Sequence, residues 1–386
     1  MKICFLSSYH PPTDKRVFLK EAVTLVKEGF DVVHVAPGIG LSRVETGVLL
    51  YLYPLVKGLW GRVFNLNKLY RIAKLINADV YHCNEVDSWL IGIIIKMVYH
   101  KTVVFDVHEH YPSMLGYNRL PKFLQPISSA FVRFLYFILT PYTDQFVFAK
   151  ESIIHDFHNI NDRYITALNF TQLSLITNGS PEISEEIKNL FDGKFTAIHI
   201  GLFSKSRGWP QLLKAMAILE ITNFQFISIG NINDGSEIEF WEMAKRFKLT
   251  NKIKLLNWMS FEEVYKYMLL SQVGLILFQP DDLNNVYAFP HKMFDYMLAK
   301  LPIIIPDFAV EVAPIVRSSN CGYTINTSNY LELSHALNSL SKDNSLRKKM
   351  GKNGFCAVNN KYNWENESVK LINMYKQLVI NRVSIK

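Results

Sequence analysis

The sequence predicts an α/β protein made of two domains, each a doubly wound parallel sheet. Three observations carry this. Residues 2–36 read strand, loop, helix, strand, an order that implies a right-handed crossover and a parallel sheet. The same alternation starts again at Phe195. The chain has 386 residues, 49% hydrophobic and 20% charged, enough for two domains of ordinary size, each with its own core.

Composition excludes several classes. The net charge is +8, but no long basic run marks a nucleic-acid arm, so no nucleic acid is expected as partner. Cys4, Cys83, Cys321 and Cys356 lie far apart with no CxxC pair. That favours free thiols over a disulfide frame or zinc site. Met1 leads straight into KICFLSS, which reads as a core strand rather than a signal peptide. The apolar run IGIIIKMVYHK is broken by Lys96 and is too short to span a membrane. A cytoplasmic location is expected.

In the first half, KICFLSS and FDVVHVA flank a helix over KRVFLKEAVTLVKEG, with Asp14 as candidate N-cap and Gly29 as candidate C-cap. The first loop lacks GxGxxG, so no nicotinamide or flavin dinucleotide is suggested. Residues 55–77 carry Lys57, Arg62, Lys68, Arg71 and Lys74 among Trp60, Phe64, Leu66, Leu69 and Tyr70, without an acidic residue. Such a segment can rest on an anionic bilayer, or be a solvated helix face packed on the sheet. Residues 121–141 are strongly apolar and aromatic; a buried helix and a helix dipping into the membrane interface explain them equally. Peripheral contact with the inner face of the plasma membrane is therefore kept open.

Strands over Asp79–Cys83 and Thr102–His108 enclose a helix over residues 87–99, and QFVFA closes the first sheet. Ligands of such sheets sit at the carboxyl ends of strands. His82, Asn84, Glu85, Asp106, His108, Glu109 and His110 lie at or near those ends. HEH could suggest a metal, but no compact set of three ligands is evident. No metal site is expected. His155 and His158 read as surface residues. The Asn178-Gly179 turn marks the boundary region, between about 165 and 185.

The second half reads as strands at Phe195–Gly201, FQFISIG, KIKLLNW, VGLILFQ, Pro302–Pro306 and CGYTI, with helices between them. A last helix runs from Trp364 to about Val379. The stretch FPHKMFDYMLAKLPIIIPD, Phe289–Asp307, is a helix feeding a buried strand. Pro290 suits the first helical position. Phe294, Met297 and Leu298 form the buried stripe, and Lys300 and Pro302 end the helix. The free N–H groups at the helix start make an anion site. Lys292, normally disfavoured beside that positive end, makes sense if an anion lies between. Asp295, one turn on, suits a pair of ribose hydroxyls. The competing reading is an ordinary amphipathic helix with a solvated Lys and Asp.

The βα loop at 202–208 holds Lys205 and Arg207 beside Gly208. Arg207 offers a planar fork for phosphate oxygens, and Gly208 allows close backbone approach. Arg207 and Lys292 lie at two βα junctions of one predicted sheet, and His108 at the matching edge of the other. Two domains facing across a cleft, with cations on one wall, describe an enzyme for a phosphorylated donor.

At this point the chain resembles a family 4 glycosyltransferase of the two-Rossmann GT-B fold. The resemblance runs through D-x-R-x-x-K-E-A at Asp14, Arg16, Lys20, Glu21 and Ala22, and through Asp106, His108 and Glu109. It continues through Asn178-Gly179, the G-x-x-x-x-x-R-G from Gly201 to Gly208, and P-x-K-x-F-D-Y-M from Pro290 to Met297. It implies an acceptor-binding domain at 1–170, a nucleotide-sugar-binding domain at 171–362, and a terminal helix, 363–386, crossing back to the first domain. It implies retaining transfer of a sugar from a UDP- or GDP-sugar, without a metal or other cofactor. The acceptor would be a glycan or lipid-linked oligosaccharide in O-antigen, capsule or exopolysaccharide synthesis. Arg207 and Lys292 would hold the diphosphate, Asp295 the ribose, and His108 would lie beside the donor sugar. Lys205, Gly208, Tyr287, Phe289, Pro290 and His291 would complete the donor site. Asp14, Arg16 and Glu109 would lie on the acceptor side.

Two departures matter. The family often has two glutamates eight positions apart; here those positions are Tyr287 and Asp295, so backbone groups around Tyr287–Phe289 would replace the first carboxylate. Leu202 stands where a basic residue often follows the first glycine, so Lys205 is expected to share the phosphate with Arg207. Two other readings are weighed against transfer: a nucleotide-sugar 2-epimerase, which needs no acceptor, and a non-catalytic nucleotide-sugar or membrane-surface binding protein.

Overall fold

The computed structural model describes residues 1–56, 59–114, 121–176 and 181–384, except the side chains of residues 59, 60, 62, 63, 122 and 382–384. The Asn178-Gly179 turn and Lys57 lie outside the described residues, as do the side chains of Trp60 and Arg62. The chain divides into two units, Met1–Asn169 with Asn366–Lys386, and Phe170–Glu365.

The first unit holds an eight-stranded sheet, β1 (Lys2–Leu6), β2 (Asp31–Pro37), β3 (Arg43–Glu45), β4 (Val48–Tyr53), β5 (Val80–Cys83), β6 (Thr102–Val107), β7 (Gln145–Phe148) and β8 (Tyr164–Thr166), in the order β3-β4-β2-β1-β5-β6-β7-β8. All neighbours are parallel except β3 and β4. Those two form a hairpin through Thr46 and Gly47, both at positive φ (48° and 83°), the conformation a two-residue hairpin turn demands. The sequence reading found neither this hairpin nor β8. The order reverses between β1 and β5, whose carboxyl ends therefore border the natural ligand crevice of this sheet.

The helices Leu59–Ile76, Val86–Tyr99 and Gln125–Leu139 contribute to one core on one face of the sheet. Trp89 anchors it, stacked on Phe105 at 4.0 Å with its indole N–H donated to Thr143 Oγ1 at 2.8 Å. The opposite face carries His82, and the terminal helix Trp364–Ser384 reaches it. Tyr375 Oη lies 2.7 Å from His82 Nδ1, and Lys376 donates to Glu28 at 2.8 Å.

The expected first helix departs from plan. Val17–Ala22 is a π turn, followed by the α-helix Val23–Lys27. Leu19 N–H bonds Asp14 O and Glu21 N–H bonds Arg16 O, both spanning five residues. Asp14 Oδ1 accepts from the N–H groups of Arg16 and Val17 at 2.8 and 2.9 Å, so it does cap this segment. The wider turn accompanies burial of Lys20 and Glu21, which a regular surface helix would expose.

The second unit has six parallel strands, β9 (Phe195–Ile200), β10 (Phe224–Ile229), β11 (Ile253–Leu256), β12 (Val273–Leu275), β13 (Ile303–Pro306) and β14 (Gly322–Ile325), in the order β11-β10-β9-β12-β13-β14. This is the 3-2-1-4-5-6 order of a doubly wound sheet, with its switch point between β9 and β12. The helix His291–Leu298 packs over that point. Tyr296 Oη accepts the Ile200 N–H at 3.0 Å. Gly274 on β12 leaves the room: a Cβ there would meet the Tyr296 ring at 2.5 Å.

Candidate functional site

The switch point of the second unit gathers Arg207, Lys292 and a ring that sequence reading did not single out, Phe278. The Arg207 guanidinium lies 5.3 Å from the Phe278 ring centroid and the Lys292 ammonium 5.7 Å. Arg207 is held by its loop. Ser204 Oγ accepts its backbone N–H at 3.2 Å, and its Nη1 donates to Leu202 O at 3.4 Å. Gly208, at φ +85°, closes the turn; a Cβ there would meet Leu277 O at 2.2 Å. Gln279 N–H bonds Ser206 O at 2.8 Å, so this loop is tied to the segment that follows β12.

Lys292 is not solvated. It is 6% exposed and Asp295 3%, which removes the amphipathic-surface reading of this helix. Every residue from Lys292 to Leu298 is buried, rather than the expected stripe alone. Pro290 sits one residue earlier than expected, as the extended cap residue before His291. Lys292 Nζ donates to Ile200 O at 2.7 Å and lies 3.4 Å from His199 Nε2. Burial, and then the charge of Arg207, hold the Lys292 ammonium well below the usual lysine range. Burial and Lys292 likewise hold His199 well below its usual range, so it is neutral. Two cationic groups, one lowering the other's pKa, beside a helix start and a βα loop are an arrangement suited to an anion.

Asp295 accepts from Thr171 Oγ1 at 2.6 Å, and its other oxygen lies 3.5 Å from His291 Nε2. Phe289 is a core ring, 5.3 Å from Phe294 and 5.4 Å from Phe170. Tyr287 is the residue that ends a short helix, Leu283–Val286. Lys205 corrects an expectation. Its ammonium pairs with Glu239 on the exposed helix Glu237–Arg246, and its N–H bonds Asp234 Oδ2 at 2.8 Å. The structure brings it to neither Arg207 nor Lys292.

At the switch point of the first unit, Glu85 organises the loop after β1. Its carboxylate accepts the N–H groups of Ser8, Tyr9 and His10 at 2.9–3.0 Å and meets His10 Nδ1 at 2.6 Å. Against the cost of burial, His10 and those N–H groups pull Glu85 down to about 2. His10 Nε2 then lies 3.2 Å from His108 Nδ1, and His108 Nε2 lies 2.5 Å from Asp106 Oδ2. Burial lowers the His108 pKa despite Asp106. His108 is therefore a neutral ring held at both nitrogens.

Behind it, Arg16 bridges Glu21 Oε1 at 2.8 Å and Asp106 Oδ1 at 3.1 Å, and donates to Ala167 O at 2.6 Å. Despite burial, Arg16 and His108 hold Asp106 well below the carboxylate range, while burial raises Glu21 well above it. Glu21, His82 and Asp106 have metal-ligand spacing, a set drawn from three elements that local sequence spacing does not reveal. The Arg16 guanidinium already lies on both carboxylates, which supplies the positive charge that buried acids need. Arg16 is thus an internal cation, and Asp14 a backbone cap. Glu109 pairs with Lys150.

Residues 15–166 match the family model described as Glycosyltransferase Family 4, and residues 181–355 match Glycosyl transferases group 1. Sucrose-phosphate synthase from Thermosynechococcus elongatus superposes with a TM-score of 0.77 at 14% identity, over 99% of this chain and 100% of that one. HepE from Anabaena, in complex with UDP, gives 0.74 at 14% identity, over 98% and 100%. WaaG, a glycosyltransferase involved in lipopolysaccharide biosynthesis, gives 0.70 at 14% identity, over 96% and 99%. No curated protein sequence matches the chain.

Proposed function

Starting from a chain that is a glycosyltransferase with the GT-B fold, we propose that it moves a sugar from a UDP-sugar to a hydroxyl of a glycan or lipid-linked acceptor, with retention at the anomeric carbon. The observation that carries this reading is the pair Arg207 and Lys292 at the β9/β12 switch point. A diphosphate placed there would meet both cationic groups and lie at the N-terminal end of the helix His291–Leu298. UDP and UDP-glucose are ligands of HepE, and UDP-2-fluoro glucose is the ligand of another structural neighbour; these support a uridine donor.

In the proposed mechanism, Arg207, Lys292 and the helix N–H groups stabilise the leaving diphosphate as the glycosidic bond breaks. The acceptor hydroxyl attacks from the same face and a leaving phosphate oxygen takes its proton. The positive charge comes from side chains and amides, so no metal is assigned to the diphosphate. Asp295 is assigned to the ribose, and His108, backed by Asp106, to the donor sugar. A pathway of surface polysaccharide assembly is the setting proposed.

Two experiments test this. Thermal stabilisation by a panel of UDP- and GDP-sugars should single out a UDP-sugar. Incubation of that labelled donor with and without candidate acceptors should give acceptor-dependent transfer, lost in Lys292→Ala with the fold intact. Isomerised donor without acceptor would favour the 2-epimerase reading, and stabilisation without turnover the binding-protein reading.

A further inference from the structure

The three helices on the outer face of the first unit present an apolar surface that the site above does not use. On Gln125–Leu139, Val132, Tyr136 and Leu139 are buried in the core. The opposite side shows Ile127, Phe131, Phe134 and Phe137, with Phe123 just before the helix; Phe123 and Phe137 are each 75% exposed. A surface helix ordinarily puts polar residues on that side. On Val86–Tyr99, Leu90, Ile94, Met97 and Val98 are also exposed, at helical spacing. The two helices share Trp89, whose ring lies 6.0 Å from Tyr136. Exposed aromatics in this number exceed what scattered apolar residues on a monomer explain.

The charge pattern identifies the occupant. Among the described side chains, the helices Leu59–Ile76, Val86–Tyr99 and Gln125–Leu139 carry Lys68, Arg71, Lys74, Lys96 and Arg133 against Asp87 as the one acid. Lys96 and Arg133 are paired with Asp144 and Asp156. Arg71 and Lys74 are exposed on Leu59–Ile76, beside Leu75. That helix packs beside Val86–Tyr99, with Tyr70 Oη 3.4 Å from Tyr99 Oη. An apolar aromatic face bordered by cations matches a bilayer with anionic headgroups. A protein partner would ordinarily meet a face of mixed polarity with a polar rim. No helix among the described residues is long and apolar enough to cross a membrane, so the contact is interfacial.

We propose that Phe123, Ile127, Phe131, Phe134 and Phe137 insert into the headgroup boundary of an anionic bilayer, with Arg71 and Lys74 on its charged surface. Both helices start at the carboxyl edge of the first sheet, where His10 and His108 lie. The surface therefore sets the first unit's ligand edge near the bilayer. This deepens the lipid-linked-acceptor reading, but its test does not depend on activity.

The test is co-sedimentation of the full chain with phosphatidylcholine vesicles, with and without phosphatidylglycerol, alongside a UDP titration of the same preparations. The expected result is binding to the anionic vesicles that falls as salt rises. Phe134→Gln with Phe137→Gln should cut it at least tenfold while leaving UDP affinity unchanged. Arg71→Gln and Lys74→Gln should each cost about fivefold on anionic vesicles. A wild-type chain left in the supernatant would overturn the proposal. So would a double variant that binds like wild type, or a dimer in gel filtration that the same substitutions dissolve, since a second copy would then cover the face. Loss of UDP binding with vesicle binding intact would instead strike the transferase reading.

Discussion

Arg207 and Lys292 stand over one ring: the guanidinium is 5.3 Å and the ammonium 5.7 Å from the Phe278 centroid. They come from different βα segments, after β9 and after β12, and the switch in strand order is what makes them neighbours. Each alone is a commonplace cation. Together, in a partly buried setting, they put two cationic groups over one ring.

The first prediction concerns protons. Burial and Arg207 lower the pKa of Lys292 in the free protein, and a bound diphosphate restores it toward the ordinary lysine value. UDP binding should therefore take up protons, and UDP affinity should fall as pH rises from the lowered value toward about 10.4. Calorimetry in buffers of different ionisation enthalpy reads the uptake directly. Proton-neutral binding, independent of pH across that range, would contradict the account.

Gly208 should be intolerant of any side chain. Its φ is +85° and a Cβ would meet Leu277 O at 2.2 Å, whereas Gly193, at φ +63°, faces open space. Gly208→Ala should displace the Arg207 loop and weaken UDP binding at least tenfold. Gly193→Ala should cost on the order of 1 kcal/mol of stability and leave UDP binding alone. A UDP titration and a denaturation curve of both variants check this.

Glu85 should make a share of the first unit's stability acid-sensitive. Its folded pKa is about 2, against an ordinary 4.5. A lowered carboxylate pKa stabilises fully above 4.5, and that contribution is lost as pH falls through 2. The contribution is about 3 kcal/mol in order of magnitude. Glu85→Gln should be less stable at pH 6, and its difference from wild type should shrink as pH drops from 4.5 toward 2. A gap constant over that window, measured by urea unfolding, would refute it.

Asp295 should behave as a ligand residue that is also held in place. Asp295→Asn preserves the shape of the pocket and the reach toward Thr171, 2.6 Å away. The substitution should weaken UDP binding by about tenfold or more, in line with about 1.5–3 kcal/mol for a charged hydrogen bond, while changing inorganic pyrophosphate binding little. Equal loss for both ligands would remove Asp295 from the ribose.

Much of this architecture was legible because period and punctuation agreed. Apolar strands followed by helical stretches placed both sheets, and Gly201 to Gly208 with Pro290 to Met297 placed the anion site. What sequence could not show were the relations set by packing. Lys205 looked available beside Arg207, but Glu239 on the next helix takes its ammonium. Arg16 looked like an acceptor contact, but a π turn helps bury it between Glu21 and Asp106. Phe278 carried no motif; its place depends on β12 ending at Leu275 rather than running on as the apolar pattern suggested. The Thr46-Gly47 hairpin was readable in principle from the glycine, but its flanking strands are short. Glu85 was visible only as one of several polar residues at strand ends, and its three N–H partners belong to a loop 75–77 residues away.

The measurement that bears most directly on the whole reading is a pair of calorimetric titrations, UDP and uridine, against wild type, Arg207→Gln and Lys292→Gln. Wild type should bind UDP far more tightly than uridine. Each substitution should reduce UDP affinity at least tenfold and leave uridine affinity nearly unchanged, because only the diphosphate touches the two cations. If both variants bind UDP as wild type does, the pair over Phe278 does not hold a diphosphate and the proposed donor site is wrong.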